Sequence, residues 1–267
     1  MQKISILFIF ILTLNSCQTE TSVDIPNENK LVIQSFISPQ DTILSVRINN
    51  TNAITGQISK ESKIILNASV TISNGIKTIL LPYDKDGYYR VPAKLFAIDS
   101  GKTYYLKVSV PDGRTATGEC TIPSTTVNPQ KVFIDIKNTS TDTRLITIKW
   151  DDFINEKNYY TVTGTYETLK KGCNTDLPIG IRDKNNDGQQ LGIYFSTNVS
   201  CGNNNPNFMV IISNYDVNGY EYISTILEQQ DINGIPFTEP LQIYSNIKGG
   251  YGVFSGYNQL RTIIQVF

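Results

Sequence analysis

Three short stretches hold residues whose types and spacing could do chemistry. The first is LTLNSC, residues 12–17, which ends an apolar run from Ile4 to Leu14 preceded by one charge, Lys3. A run of about eleven residues is too short to cross a bilayer, which takes roughly 20, and it fits the hydrophobic part of an export signal. Leu14, a spacer, the small Ser16 and Cys17 match the bacterial lipobox. There the cysteine thiol takes up a diacylglyceryl group and the residue becomes the new N-terminus. Asn15 departs from the usual Ala, Ser or Thr, and the competing reading is an ordinary signal peptide with an incidental cysteine. The second stretch, RDKNNDGQQ, carries Asp183-x-Asn185-x-Asp187-Gly188, the first half of a calcium-loop pattern. The full loop needs a bidentate Glu at its twelfth position, and Tyr194 stands there. A polar turn explains the same residues, because Asp and Asn favour turns. The shorter Asp84-x-Asp86-Gly87 reads as a hairpin turn. The third stretch is Asp151-Asp152 after Trp150. A glycosidase would hold two carboxylates across a cleft, whereas neighbours at a strand end point apart, so a solvated loop start is the plainer reading.

Composition narrows the chemistry. Histidine is absent, which removes Ser-His, Cys-His and His-metal arrangements. Lys and Arg number 23 against 24 Asp and Glu, so nothing electrostatic favours nucleic acid. An enzyme here would need carboxylates, Lys, Tyr or a bound metal; we expect no catalytic residues and no cofactor. Beyond Cys17 there are Cys120, Cys173 and Cys201. In RTATGECTIP, Ala116, Gly118, Cys120 and Ile122 share one face of a strand, which makes Cys120 a small core residue. Cys173 and Cys201 lie in the loop-like KGCNTD and VSCGNN and are expected to form a disulfide. Such a loop closure would contribute about 3–4 kcal/mol on the chain-entropy model.

The elements that would position these residues are strands. KLVIQSFIS, TILSVRI, ASVTISNGIKTILL and TYYLKVSVPDGRTATGECTIP follow one another, with turns at Asn74-Gly75, Asp86-Gly87 and Asp112-Gly113. Asn74-Gly75 predicts a type I′ turn. STTVNPQ reads as a linker. Then RLITIKWDDF places Ile146, Ile148 and Trp150 on one face, and NYYTVTGTYE places Tyr160, Val162, Gly164 and Tyr166 on one face. A strand ending in Trp, a loop and a Tyr-rich strand resemble the early strands of a fibronectin type III sandwich. Further strands are expected at GIYFST, FMVIIS, LQIYSN and RTIIQVF. NGYEYISTILEQQDING has helical spacing at Tyr220, Ile223, Ile226 and Leu227, with Asn218 and Glu221 as an expected capping box.

The fold class is thus all-β, mostly antiparallel: two β-sandwich-like units, the second fibronectin type III-like with one helix inserted near residues 219–230. The expected organisation is a signal peptide at 1–16, a tether at 17–29, one β domain at 30–123 and a second at 131–267. About 250 mature residues could also form one large β domain.

The segment PFTEPLQIYSNIKGGYGVFSGYN is the most distinctive, with glycines at 249, 250, 252 and 256 among Tyr251, Phe254 and Tyr257. With the Cys17 lipobox, KLVIQSFISP, and DGYYR followed by GKTYYLKVSVPDGRTATGECTIP, it resembles the Bacteroidetes lipoprotein family known as domain of unknown function 4249. The resemblance covers nearly the whole mature chain. It implies an outer-membrane lipoprotein acting beside a TonB-dependent transporter, and it carries over one residue, Cys17, as the lipidated position. The expected function is a non-enzymatic envelope lipoprotein, lipid-anchored in the outer membrane on its periplasmic or outer face, that binds a ligand or a transporter. A surface adhesion module and a carbohydrate-active hydrolase using Asp151, Asp152, Asp183 and Asp187 are the alternatives.

Overall fold

The computed structural model describes residues 29–51, 64–171, 173, 179–182, 187–202, 206–232, 238–239 and 241–266. Alternating apolar residues make the strands. The first set is β1 (Leu31–Ile37), β2 (Ile43–Asn50), β3 (Ser69–Ser73), β4 (Thr78–Leu81), β5 (Tyr88–Pro92), β6 (Thr103–Ser109) and β7 (Thr115–Thr121). The second is β8 (Val132–Asn138), β9 (Thr143–Asp151), β10 (Tyr159–Tyr166), β11 (Ile179–Arg182), β12 (Gln190–Asn198) and β13 (Asn207–Tyr215). Helix α1 (Val217–Ile232) and the long β14 (Gly250–Gln265) follow.

Three sheets result, ordered β11-β10-β13-β14-β1-β2-β5, β12-β9-β8 and β4-β3-β6-β7. Every pairing among the described strands is antiparallel except β1 with β14. Two cores form. The first gathers Leu31, Ile33, Val46, Ile72, Tyr104, Leu106, Cys120 and Phe254 between the seven- and four-stranded sheets. The second gathers Ile146, Ile148, Trp150, Tyr160, Val162, Phe208 and Val210 between the seven- and three-stranded sheets. Trp150 meets Tyr160 edge-on, with ring centroids 5.4 Å apart.

One strand joins the units expected at 30–123 and 131–267. Residues 250–256 of β14 run parallel to β1, whereas residues 257–265 run antiparallel to β13. Ile247 and Phe254 consequently lie in the first core. The reason is local backbone room. Gly252 has φ +111°, and a Cβ there would stand 1.8 Å from the Ile33 carbonyl oxygen. Only glycine lets β14 lie this close to β1.

Three local expectations also change. LQIYSN, residues 241–246, forms no strand and runs as an irregular segment into β14. Ser73 pairs with Thr78 and the Asn74 N–H donates to the Lys77 carbonyl at 3.1 Å, so the turn centres on Gly75-Ile76 and is not the expected type I′ turn at Asn74-Gly75. Of Asn74 and Gly75, Gly75 alone takes positive φ. The Asn74 carboxamide oxygen accepts from the Ile76 and Lys77 N–H groups at 3.1 and 2.8 Å, and this side-chain turn holds the loop one residue on from the expected position. In α1 the cap is Asp216, whose Oδ1 accepts from the Gly219 N–H at 2.9 Å, in place of the expected Asn218–Glu221 box. The helix lies on the outer face of the seven-stranded sheet, where Gln34 Nε2 donates to the Tyr222 hydroxyl at 2.6 Å. Among the described residues no helix is long and apolar enough to cross a membrane.

Candidate functional site

Cross-strand register builds the site. On the four-stranded sheet, Ser73 pairs with Thr78 and with Tyr105, and Tyr105 pairs with Glu119. Thr71 pairs with Leu80 and with Lys107, Lys107 pairs with Thr117, and Thr117 bridges to Lys248. Paired residues of antiparallel strands share a face, so these form two adjacent rows. Their strand neighbours Ile72, Leu106 and Cys120 point inward and are buried. The two rows therefore face away from the core.

The segment before β14 walls this face. Thr117 and Lys248 exchange backbone hydrogen bonds at 2.9 and 2.8 Å. Asn246 Nδ2 donates to the carbonyls of Phe254 and Glu119 at 2.8 and 3.1 Å, and its Oδ1 accepts from the Phe254 N–H at 3.0 Å. One carboxamide thereby joins β7 to β14 with all its hydrogen-bonding groups used. From α1, Asn218 Oδ1 accepts from the Tyr244 hydroxyl at 2.7 Å. Between sheet face and wall lies a cleft of about 650 Å³ lined by Tyr105, Lys107, Glu119, Asn218, Asn246 and Lys248 among others. The wall residues are tied. Among the described residues, the Tyr105 hydroxyl, the Lys107 and Lys248 ammonium groups and the Glu119 carboxylate have no hydrogen-bond or ion-pair partner.

A second groove of about 840 Å³ runs on the other side of the same segment, between α1 and β14. It has Tyr222, Tyr244 and Tyr251 as walls and Gly250 and Gly252 at its floor. The chain enters this end of the molecule. Arg114 Nη1 donates to the Asn29 carbonyl and to Asn50 Oδ1, both at 2.8 Å, and Leu31 pairs with Gly250.

A buried polar network lies where the two sandwiches meet, and no sequence motif announced it. Asp216 Oδ1 accepts from the Ser255 hydroxyl at 2.7 Å as well as from Gly219. Burial raises the Asp216 carboxyl above its ordinary range, against those hydrogen bonds. Asp41 Oδ1 accepts from the Tyr257 hydroxyl at 2.8 Å and its Oδ2 from the Ser38 N–H at 2.9 Å. Burial raises Asp41 as well. The Tyr257 phenol is driven up by burial and then by the Asp41 charge. Asn258 Nδ2 donates to the Pro123 carbonyl and to the Ser100 hydroxyl oxygen, fastening the residue before the linker to β14.

The residues singled out in the sequence are dispersed. Cys17, Asp183 and Asn185 lie outside the described residues. Cys173 and Cys201 are joined by a disulfide with Cα atoms 5.8 Å apart. Cys120 is a free buried thiol, which burial pushes well above its ordinary pKa. Asp187 Oδ1 accepts from the Asn155 N–H at 2.8 Å. Asp151 faces Lys131 at 3.4 Å. Asp152 is buried, and its two oxygens accept from the Tyr160 hydroxyl at 2.8 Å and the Gly188 N–H at 3.1 Å. Asp151 and Asp152 thus serve different partners, and Asp152 fixes the loop after β9. Asp84 pairs with Arg90. Among the described residues no three His, Cys, Asp or Glu side chains gather to hold a metal ion. The cleft residues carried one signal in the sequence, the outward alternation of Tyr105 and Lys107 on β6. Lys248 is brought to them by a pairing that no local pattern reveals.

The model of the family described as "Domain of unknown function (DUF4249)" matches residues 18–263. No curated protein matches the chain. Among solved structures, the two fibronectin type-III domain segment from chicken tenascin aligns over 90% of this chain and 100% of its own, at 10% identity and a TM-score of 0.24.

Proposed function

Starting from a chain that belongs to the DUF4249 family, we propose a non-enzymatic lipoprotein of the outer membrane, anchored through Cys17, that binds a ligand or acts beside a TonB-dependent transporter. The observation that carries this reading is the placing of the cleft. Thr117 and Lys248 stand a few residues from Arg114 and Gly250, at the end where the chain enters through Asn29. A protein held by its N-terminus would present that end, and the cleft with it, toward the membrane and whatever lies in it. Two or three acyl chains contribute about 0.8 kcal/mol per buried CH₂, enough to hold such a body on a bilayer. The disulfide is in keeping with an exported protein.

The anchor is tested by metabolic labelling with palmitate and by fractionation. The wild-type chain is expected to carry label and to pellet with outer membranes, and Cys17→Ala to lose both. Label or membrane retention persisting in Cys17→Ala would overturn the anchored reading.

A further inference from the structure

We propose that the cleft on the outer face of β4-β3-β6-β7 binds a saccharide carrying an acidic group. This rests on reading the chain as a binding protein and names the ligand class. The solvated face of an antiparallel sheet is commonly polar, so polarity alone identifies nothing. Three features set this face apart. It is walled into a cleft of about 650 Å³, within the roughly 300–1,000 Å³ of small-molecule sites. Its wall is held by Asn246 and Asn218, whose polar groups are already used. Its floor carries unpartnered charges, whereas on neighbouring turns Asp84 and Arg90, and Asp112 and Arg114, are paired.

The ligand class follows from what the floor offers. Tyr105 is 45% exposed, and its ring is a flat π system. The C–H bonds of a pyranose ring are weakly positive and stack on such a face. Thr78 and Thr117 add hydroxyls that donate and accept, as sugar hydroxyls do. Lys107 and Lys248 outnumber Glu119 across the two rows, which favours a carboxylate or sulfate on the ligand. Glu119 takes hydrogen bonds from sugar hydroxyls, and its charge disfavours a dense polyanion such as nucleic acid.

Titration calorimetry tests this on the full lipidated chain in detergent. The probes are trigalacturonate, a sulfated disaccharide of the heparin type, and neutral maltotriose. At least one acidic probe is expected to bind saturably, at least about tenfold more tightly than maltotriose. Tyr105→Ala and the double variant Lys107→Gln, Lys248→Gln are each expected to weaken it by about tenfold or more. Tyr194→Ala, on another sheet and 70% exposed, is expected to leave it unchanged. Unaltered thermal unfolding checks that the variants fold. Absence of saturable binding to both acidic probes, equal binding of maltotriose, or binding indifferent to Tyr105→Ala would overturn the inference. Membrane retention measured on the same preparation separates the two readings. Lost saccharide binding with retained anchoring removes the ligand class alone.

Discussion

Asp216 meets three demands at once. It caps α1 through the Gly219 N–H, takes the Ser255 hydroxyl, and sits where the two sandwiches join. Cap and helix dipole favour its charged form, but burial outweighs them and raises its pKa from the ordinary 3.8. The folded protein therefore holds the proton more tightly than the unfolded chain. Its contribution to stability is fully present below the ordinary value and is lost as pH rises through the raised one. Asp216→Asn keeps an acceptor oxygen and cannot ionise. Urea unfolding at pH 4, 5, 6 and 7 should show the variant gaining on the wild type as pH rises. Parallel curves would refute this account of Asp216. Asp41 is raised by the same cause and should leave a residual slope in the variant. At this scale the sequence was only partly legible. Cys120 belongs to a strand alternation and is buried with it. The Asp216 cap was hidden because Asn218 and Glu221 offered a competing local pattern, and only the packing of Ser255 against the helix start decides between them.

At the scale of elements, β14 governs the assembly. It serves both cores, and its entry beside β1 needs a residue without Cβ at position 252. Gly252→Ala is expected to destabilise by about 3–5 kcal/mol, combining strain at positive φ with the clash against Ile33. Gly75 also has positive φ, +87°, but a Cβ there meets nothing within 4 Å. Gly75→Ala should cost only about 1 kcal/mol. Thermal unfolding of the two variants checks the contrast. Equal losses would show that φ alone matters and that the approach to β1 does not. The alternation that made strands legible is a two-residue rule, so Trp150, Tyr160 and Val162 could be assigned to single strand faces from their spacing, and those faces are buried. Which strand pairs with which obeys no such rule. The parallel match of Leu31 with Gly250 and the bridge of Thr117 to Lys248 join distant parts of the chain. The glycine-rich segment was visible as unusual, but what its glycines permit is a matter of three dimensions.

For the whole molecule, the shared strand and the junction network join two sandwiches, with the polar cleft and the Tyr-walled groove at the end where the chain enters. The two-sandwich architecture was legible from the rhythm of strands and turns. The cleft was not, because it exists only where a sheet face, a returning segment and a helix converge. We propose above all that the anchored protein presents this end to a membrane partner. Amine crosslinking on intact cells, read by mass spectrometry, tests it most directly. Crosslinks from Lys30, Lys107 and Lys248 to an outer-membrane transporter are expected, and their loss in Cys17→Ala. Transporter crosslinks confined to Lys131, Lys137 and Lys149 of the second sandwich, or none to any outer-membrane protein, would contradict it.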